Sequence, residues 1–241
     1  NTALVWIRDD FRIQNNDALT YASNKHDIVT AVFIFNSSIF DHKREAQKWW
    51  VSKSLENFKS DLKKLNIGLE IIKDDEINFF SKIKSNSKIS VYWNKVYEPT
   101  ELEKDKKIGT NFSKKNIDFK FFKGNVLNEY NKITKNDGTP FKVYSPFWRN
   151  AEQFYLERLP DKISKVKKCK KINTLFKNQI KSEDILPKSD WYKKFEKYWV
   201  PSEQKAHENL DNFVNKSILN YGVDRDFPSI KGTSLLSPYI R

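Results

Sequence analysis

The sequence predicts an α/β fold, a doubly wound parallel sheet of five strands, continued by a long linker and by the first helices of an all-α unit. Three observations carry this. Short apolar runs recur along the first half of the chain, stretches with helical spacing separate them, and the period disappears after about Gly124 to return only from Ser202. Strands that alternate with helices favour parallel pairing through crossovers.

The first strand is expected at residues 3–7, Ala-Leu-Val-Trp-Ile, a continuous apolar run of the kind buried on both faces. Residues 28–35 repeat that signature. Between them, residues 16–22 carry Asn16 and Asp17 as capping residues ahead of helix formers. A second helix is expected over residues 46–65, where Trp50, Leu55, Phe58, Leu62 and Leu65 recur at helical spacing and define a core face. Residues 69–72, 88–93 and 118–122 are the remaining strands, with helices over 78–83 and 100–116. The organisation that follows is an α/β domain over residues 1–130, a linker over 131–200 and the start of a helical domain over 201–241. So long a segment without periodicity is expected either to wrap one part of the protein against another or to be ordered by a partner. At the start of the third region, Pro201 and Ser202 are helix-start signals ahead of Ala206, Leu210, Phe213 and Leu219.

The 241 residues carry 44 Lys and Arg against 31 Asp and Glu, a net charge of +13 that suits a polyanionic partner. Seven of the basic residues are Arg and the rest Lys, alongside much Asn, Ile and Phe, which also looks like codon bias of an AT-rich genome. Charge alone therefore supports non-specific electrostatic binding. Cys169 is the single cysteine, which excludes an intrachain disulfide and a cysteine-based metal site; a reducing, cytoplasmic setting is expected. No run approaches the roughly eighteen apolar residues of a membrane span, and the first residues lack the order of a signal peptide. No membrane association is expected. The chain contains no Met, so its amino terminus is expected to have been trimmed.

Six Gly residues form neither a G-x-G-x-x-G nor a phosphate-loop pattern, which argues against a nicotinamide dehydrogenase and an ATPase. No G-x-S-x-G occurs, and His26, His42 and His207 form neither a metal pair nor a triad, so they read as surface residues and no metal is expected. An open parallel sheet still predicts a ligand crevice at the carboxyl ends of its strands, at the topological switch point.

Two motifs lead further. Trp6-Ile7-Arg8-Asp9-Asp10-Phe11-Arg12, followed by Asn16-Asp17-Ala18-Leu19, resembles the W-x-R-x-D-L-R and D-N-x-A-L opening of DNA photolyases and cryptochromes. Trp199-Val200-Pro201-Ser202-Glu203, then Ala206, Leu210, Phe213, Tyr221, Arg225 and Pro228, then the run from Gly232 to Arg241, resembles the approach to that family's flavin domain. Between them, Asn94, Tyr97, Glu98 and Pro99 are similar to its N-x-x-Y-E segment. Gly138-Thr139-Pro140-Phe141 and Ser145-Pro146-Phe147-Trp148 are similar to its linker. The resemblance covers the whole chain in order.

The resemblance implies the amino-terminal part of a deoxyribodipyrimidine photolyase, a lyase that repairs pyrimidine dimers in DNA by FAD-dependent, light-driven chemistry. A cryptochrome, which senses blue light without repair, is the alternative it leaves open. A third reading, a plain Rossmann-like binding module, has the tail motif against it. It implies a Rossmann-like antenna domain and a helical domain that holds FAD. Tyr221, Thr233, Ser234, Leu235, Leu236 and Ser237 fall on family positions that contact FAD, and Arg225 falls on one that contacts DNA. Hydroxyls and N–H groups at a helix start suit a pyrophosphate, although an ordinary helix cap is the plain alternative for Thr233 and Ser234. An Arg near a domain boundary is ordinarily solvated, so the role of Arg225 rests on the motif. Leu235 stands where photolyases of cyclobutane dimers commonly carry Arg, which leaves the lesion class open. Glu101 falls on a position like one that binds an antenna chromophore such as a reduced folate, while Thr100 departs from the usual Asn. Asn94, Tyr97 and Glu98 can equally fix a turn after a buried strand. Damaged DNA is the implied partner of a monomer. The electron-relay tryptophans and any catalytic residues would lie beyond Arg241, so the chain alone is expected to be inactive.

Overall fold

The computed structural model describes residues 2–38, 40, 45–85, 88–129, 131–156 and 164–240, with backbone alone for 154–156. His42 and Arg241 lie outside the described residues. The apolar runs form five parallel strands, β1 (Thr2–Ile7), β2 (Ile28–Phe35), β3 (Gly68–Lys73), β4 (Ile89–Asn94) and β5 (Phe119–Phe122), in the order β3-β2-β1-β4-β5. Leu4 of the central strand lies opposite Thr30 on one side and Val91 on the other.

Helices α1 (Asp17–Lys25), α2 (Glu45–Lys64), α3 (Glu76–Ser81) and α4 (Pro99–Lys114) link successive strands. Side chains of a strand alternate between faces, and β1 divides accordingly. Ala3, Val5 and Ile7 pack with Ala18, Leu19 and Ala22 of α1 and Leu55, Phe58 and Leu62 of α2. Leu4 and Trp6 face Phe79 and Phe80 of α3 and Ile108 and Phe112 of α4. The sheet is therefore wound on both faces, as the sequence predicts. In α2 the core position is Trp49, 1% exposed, one residue before the expected Trp50. Trp50 is half-buried and meets Trp199 and Tyr239 edge-on, at centroid distances of 6.0 and 5.1 Å.

Beyond β5 the chain forms α5 (Tyr144–Leu156) and, from Ser164, an extended strap. The strap starts at the amino-terminal end of the sheet, where Lys167 N–H donates to Ser23 Oγ, Cys169 N–H to Leu65 O and Lys170 N–H to Asp27 O. It then crosses to the opposite face, where Leu175 and Phe176 join the α3–α4 core. Their backbone N–H groups donate to the two carboxylate oxygens of Glu70 at 2.6 and 2.9 Å. Glu70 is 3% exposed, and burial raises its carboxyl above the usual range against the pull of these two donors. The strap returns past β3, where Ile180 N–H donates to Ile71 O, and buries Ile185 against the α1–α2 face. Short 3-10 turns at Ser182–Ile185 and Asp190–Lys197 lead to α6 (Glu203–Lys216), capped by the Ser202 hydroxyl, and α7 (Tyr221–Asp224). No residue of α6 or α7 is buried.

Candidate functional site

The switch point lies between β1 and β4, whose following segments diverge to opposite faces. Side chains of the protein fill it. Asn94, which ends β4, donates from Nδ2 to Asp10 Oδ2 at 2.6 Å and to Asn16 Oδ1 at 2.9 Å, and its Oδ1 accepts from Ala18 N–H at 3.1 Å. Asn16 is also the N-cap of α1, accepting from Leu19 N–H. Arg8, 8% exposed, stacks on Trp6 at 4.3 Å and donates to the Asn94 carbonyl, Asp105 and Glu101 at 2.9, 3.0 and 3.3 Å. Burial raises the Asp105 carboxyl above its ordinary range, and the adjacent Arg8 limits that rise. Lys104 bridges Glu101 and Glu76 at 2.8 and 3.0 Å. Burial disfavours its ammonium, yet these two hydrogen bonds leave its pKa raised overall. About 10 Å³ of open space remains here, beside Asp10, Asn94 and Gly124. The crevice expected from the fold is thus closed by its own polar network.

The larger space lies next to it. A cleft of about 370 Å³ opens between the segment after β1 and the start of the helical region, a size within the range of small-molecule sites. Phe11, Arg12 and Trp50 line one wall, and Glu203, His207 and Tyr239 the other. Glu203 joins the walls by accepting from Ile13 and Gln14 N–H at 2.7 and 2.9 Å. Tyr239 O–H donates to Val200 O at 3.1 Å.

Tyr221, at the start of α7, packs edge-on against Phe213 at 5.6 Å, and the Arg225 guanidinium lies over its ring at 5.6 Å. Arg225 is exposed, with Nε 3.7 Å from Asp226. The run Thr233 to Ser237 follows Gly232, where an added Cβ would sit 2.6 Å from the Asp224 backbone, so only glycine lets the tail fold this tightly onto α7. Leu235 has φ 53°. Tyr239 N–H donates to Leu236 O at 2.8 Å, closing a turn. No helix begins at Thr233 or Ser234 among the described residues: both lie in irregular backbone ahead of the turn at residues 237–239, which corrects the helix-cap reading and the helix-start dipole. Their hydroxyls and that of Ser237 have no hydrogen-bond partner among the described residues. Glu101 sits apart from this group, in the first turn of α4, its carboxylate held by Arg8 and Lys104.

His26 is not the plain surface residue expected, since its Nε2 lies 2.9 Å from Tyr92 O–H. His207 is half exposed beside Glu203. The roles of Glu203, Glu70 and Trp50 were beyond sequence reasoning, although Glu203 stands within the quoted Trp199–Glu203 motif.

This architecture, a doubly wound sheet wrapped by a strap that leads to α6 and α7, is of the photolyase and cryptochrome type. The family model for DNA photolyase matches residues 3–165, and the chain belongs to that family. It is 31% identical over 239 residues to a deoxyribodipyrimidine photo-lyase of Agrobacterium fabrum, covering 98% of this chain and 50% of that protein. It is 24% identical to Cryptochrome-1 of Arabidopsis thaliana, covering 99% of this chain and 35% of that protein. A class III photolyase structure from Agrobacterium tumefaciens superposes with a TM-score of 0.87 at 30% identity, over 99% of this chain and 50% of that one. The chain thus spans half or less of the length of these relatives.

Proposed function

We propose that this chain forms the α/β domain and the start of the FAD-binding domain of a deoxyribodipyrimidine photolyase. The observation that carries the reading is the family match together with 31% identity to a photolyase over 98% of the chain. When bound, FAD supplies the light-driven electron that splits a pyrimidine dimer flipped out of the DNA. The domain boundaries at 130 and 200 belong to the same reading.

The chain's own part is binding and position. Thr233, Ser234 and Ser237 offer uncommitted hydroxyls, a donor set that suits a pyrophosphate, while Tyr221, Leu235 and Leu236 supply apolar contact. Arg225, exposed and stacked on Tyr221, suits a DNA phosphate. An antenna chromophore at Glu101 would have to share a carboxylate already held by Arg8 and Lys104. We place the protein in the cytoplasm as a monomer; no described helix is long and apolar enough to cross a membrane.

The test is the absorption spectrum of the intact protein, followed by blue-light illumination with ultraviolet-damaged DNA. A flavin spectrum with dimer loss only in the light is expected. Flavin without repair would replace this reading by the cryptochrome one, and Leu235 in place of Arg is compatible with a cryptochrome as with a photolyase of another lesion; absence of flavin would overturn both.

A further inference from the structure

A concentration of positive charge lies on the strap, outside the cleft and the tail described above. Residues 164–182 contain seven lysines and no acidic residue, against 44 basic and 31 acidic residues in the whole chain, so the local excess exceeds any uniform compositional bias. Five of these lysines fall in residues 165–171, the part of the strap that crosses the amino-terminal end of the sheet. Val166 and Cys169 pack inward against the α1–α2 core, and Lys165, Lys167, Lys168, Lys170 and Lys171 are exposed.

The ribbon is held at fixed points. Besides the backbone bonds to Ser23, Leu65 and Asp27, Asn66 Nδ2 donates to Cys169 O at 2.9 Å and Thr30 Oγ1 to Asn173 O at 3.2 Å. Lys25, Lys63 and Lys64, exposed at the ends of α1 and α2, extend the basic surface. Asp27 takes Lys170 and Asp61 takes Lys64. Among the described residues Lys165, Lys167, Lys168 and Lys171 form no ion pair within 4.0 Å, although Lys167 also acts on Asp27 at longer range. Their seven-residue span covers roughly 20 Å of extended chain, comparable to about six phosphates along one strand of duplex DNA at ~3.4 Å each.

We propose that the lysine strap at the amino-terminal end of the sheet is a second, sequence-independent contact for the phosphate backbone of nucleic acid, remote from Arg225. The strap bonds to the amino-terminal end of the sheet, whereas α6, which leads toward Arg225, starts at Glu203 on the segment after β1, at the carboxyl end. A duplex held at the strap is therefore a different segment from the one presented to the flavin side. The predominance of lysine over apolar side chains on the outer face of residues 165–171 favours a polyphosphate over a lipid bilayer.

The inference shares only its partner class with the proposed function, and its test uses undamaged duplex in the dark, so the two can fail separately. Duplex affinity is measured by fluorescence anisotropy across a salt series for the intact protein and two variants of equal charge change. One is Lys165→Gln/Lys167→Gln/Lys168→Gln/Lys171→Gln. The other removes exposed Lys84, Lys106, Lys107 and Lys114 in the same way. The strap variant is expected to lower the slope of log K against log salt by about 3 to 4, with an unchanged melting temperature and the control slope near that of the parent. Equal loss in both variants, or no loss in the strap variant, overturns the proposal. So does an unchanged DNA curve accompanied by lost binding to phosphatidylserine vesicles, which would assign the strap to membranes.

Discussion

Glu203, the first residue of α6, accepts the backbone N–H of Ile13 at 2.7 Å across 190 positions of sequence, and the N–H of Gln14 at 2.9 Å. One carboxylate thus ties the start of the helical region to the segment after β1. Glu203→Ala leaves two amides without that acceptor and is expected to cost about 1–3 kcal/mol. Thermal denaturation would check this, with an unchanged melting point counting against the clamp.

Gly124 follows β5 where a Cβ would lie 1.9 Å from the Lys95 carbonyl oxygen. That oxygen is backbone and cannot swing aside. Gly124→Ala is expected to lose about 3 kcal/mol or more through forced separation of the segments after β4 and β5, read by circular dichroism melting. Gly138→Ala is a poor comparison because of its positive φ, whereas Gly222→Ala, with open space around it, should be mild.

Glu70→Gln retains the size of the side chain but offers only one acceptor oxygen to Leu175 and Phe176. A loss of about 1–3 kcal/mol is expected, together with faster hydrogen exchange at those two amides. Exchange unchanged at both positions would show that the strap is held without Glu70.

The Tyr92 hydroxyl, 3.0 Å from Asp118, is pushed up to about 12, first by burial and then by that hydrogen bond. Its pKa in the fold exceeds the ordinary value of 10.0, so its contribution to stability is complete below pH 10 and is lost as the pH rises toward 12. Alkaline ultraviolet titration should show one phenol ionising near 12, and Tyr92→Phe should remove that step.

Arg225→Gln in the intact protein is expected to weaken DNA binding and lower its salt slope by about 1 while leaving flavin content unchanged. Thr233→Val/Ser237→Ala should do the reverse, reducing flavin retention first. Equal flavin loss in both variants would assign Arg225 to the architecture of the tail.

All five strands and the four crossover helices were legible because each buries a face and so carries its periodicity in the sequence. The N-cap of α1 could be read from Asn16 and Asp17. The strap could not, because an extended segment that touches first one face and then the other has no period: Cys169, Leu175 and Ile185 are anchors separated by polar residues. Glu70 was hidden for a related reason, since a carboxylate in an apolar strand acquires meaning only from two amides more than a hundred residues away. Trp50 was misplaced by one position because Trp49 and Trp50 are adjacent on the helix, and only tertiary contact with Trp199 and Tyr239 separates their roles. The expected flavin contacts came from motif order. The helix start expected at Thr233 is irregular backbone, because Gly232 folds the tail onto Asp224 and the first turn comes only at residues 237–239.

β3 is the outermost strand on its side of the sheet, and unpaired backbone on such a strand is a template for another chain. The Ile180 N–H to Ile71 O hydrogen bond, backed by Leu175 and Phe176 on one face and Ile185 on the other, covers this strand with the protein's own backbone. Local detachment of the strap would expose the apolar run Leu69 to Ile72 to strand addition. Solubility should therefore fail before the sheet unfolds, and variants that loosen the strap should aggregate at temperatures where the strands remain paired.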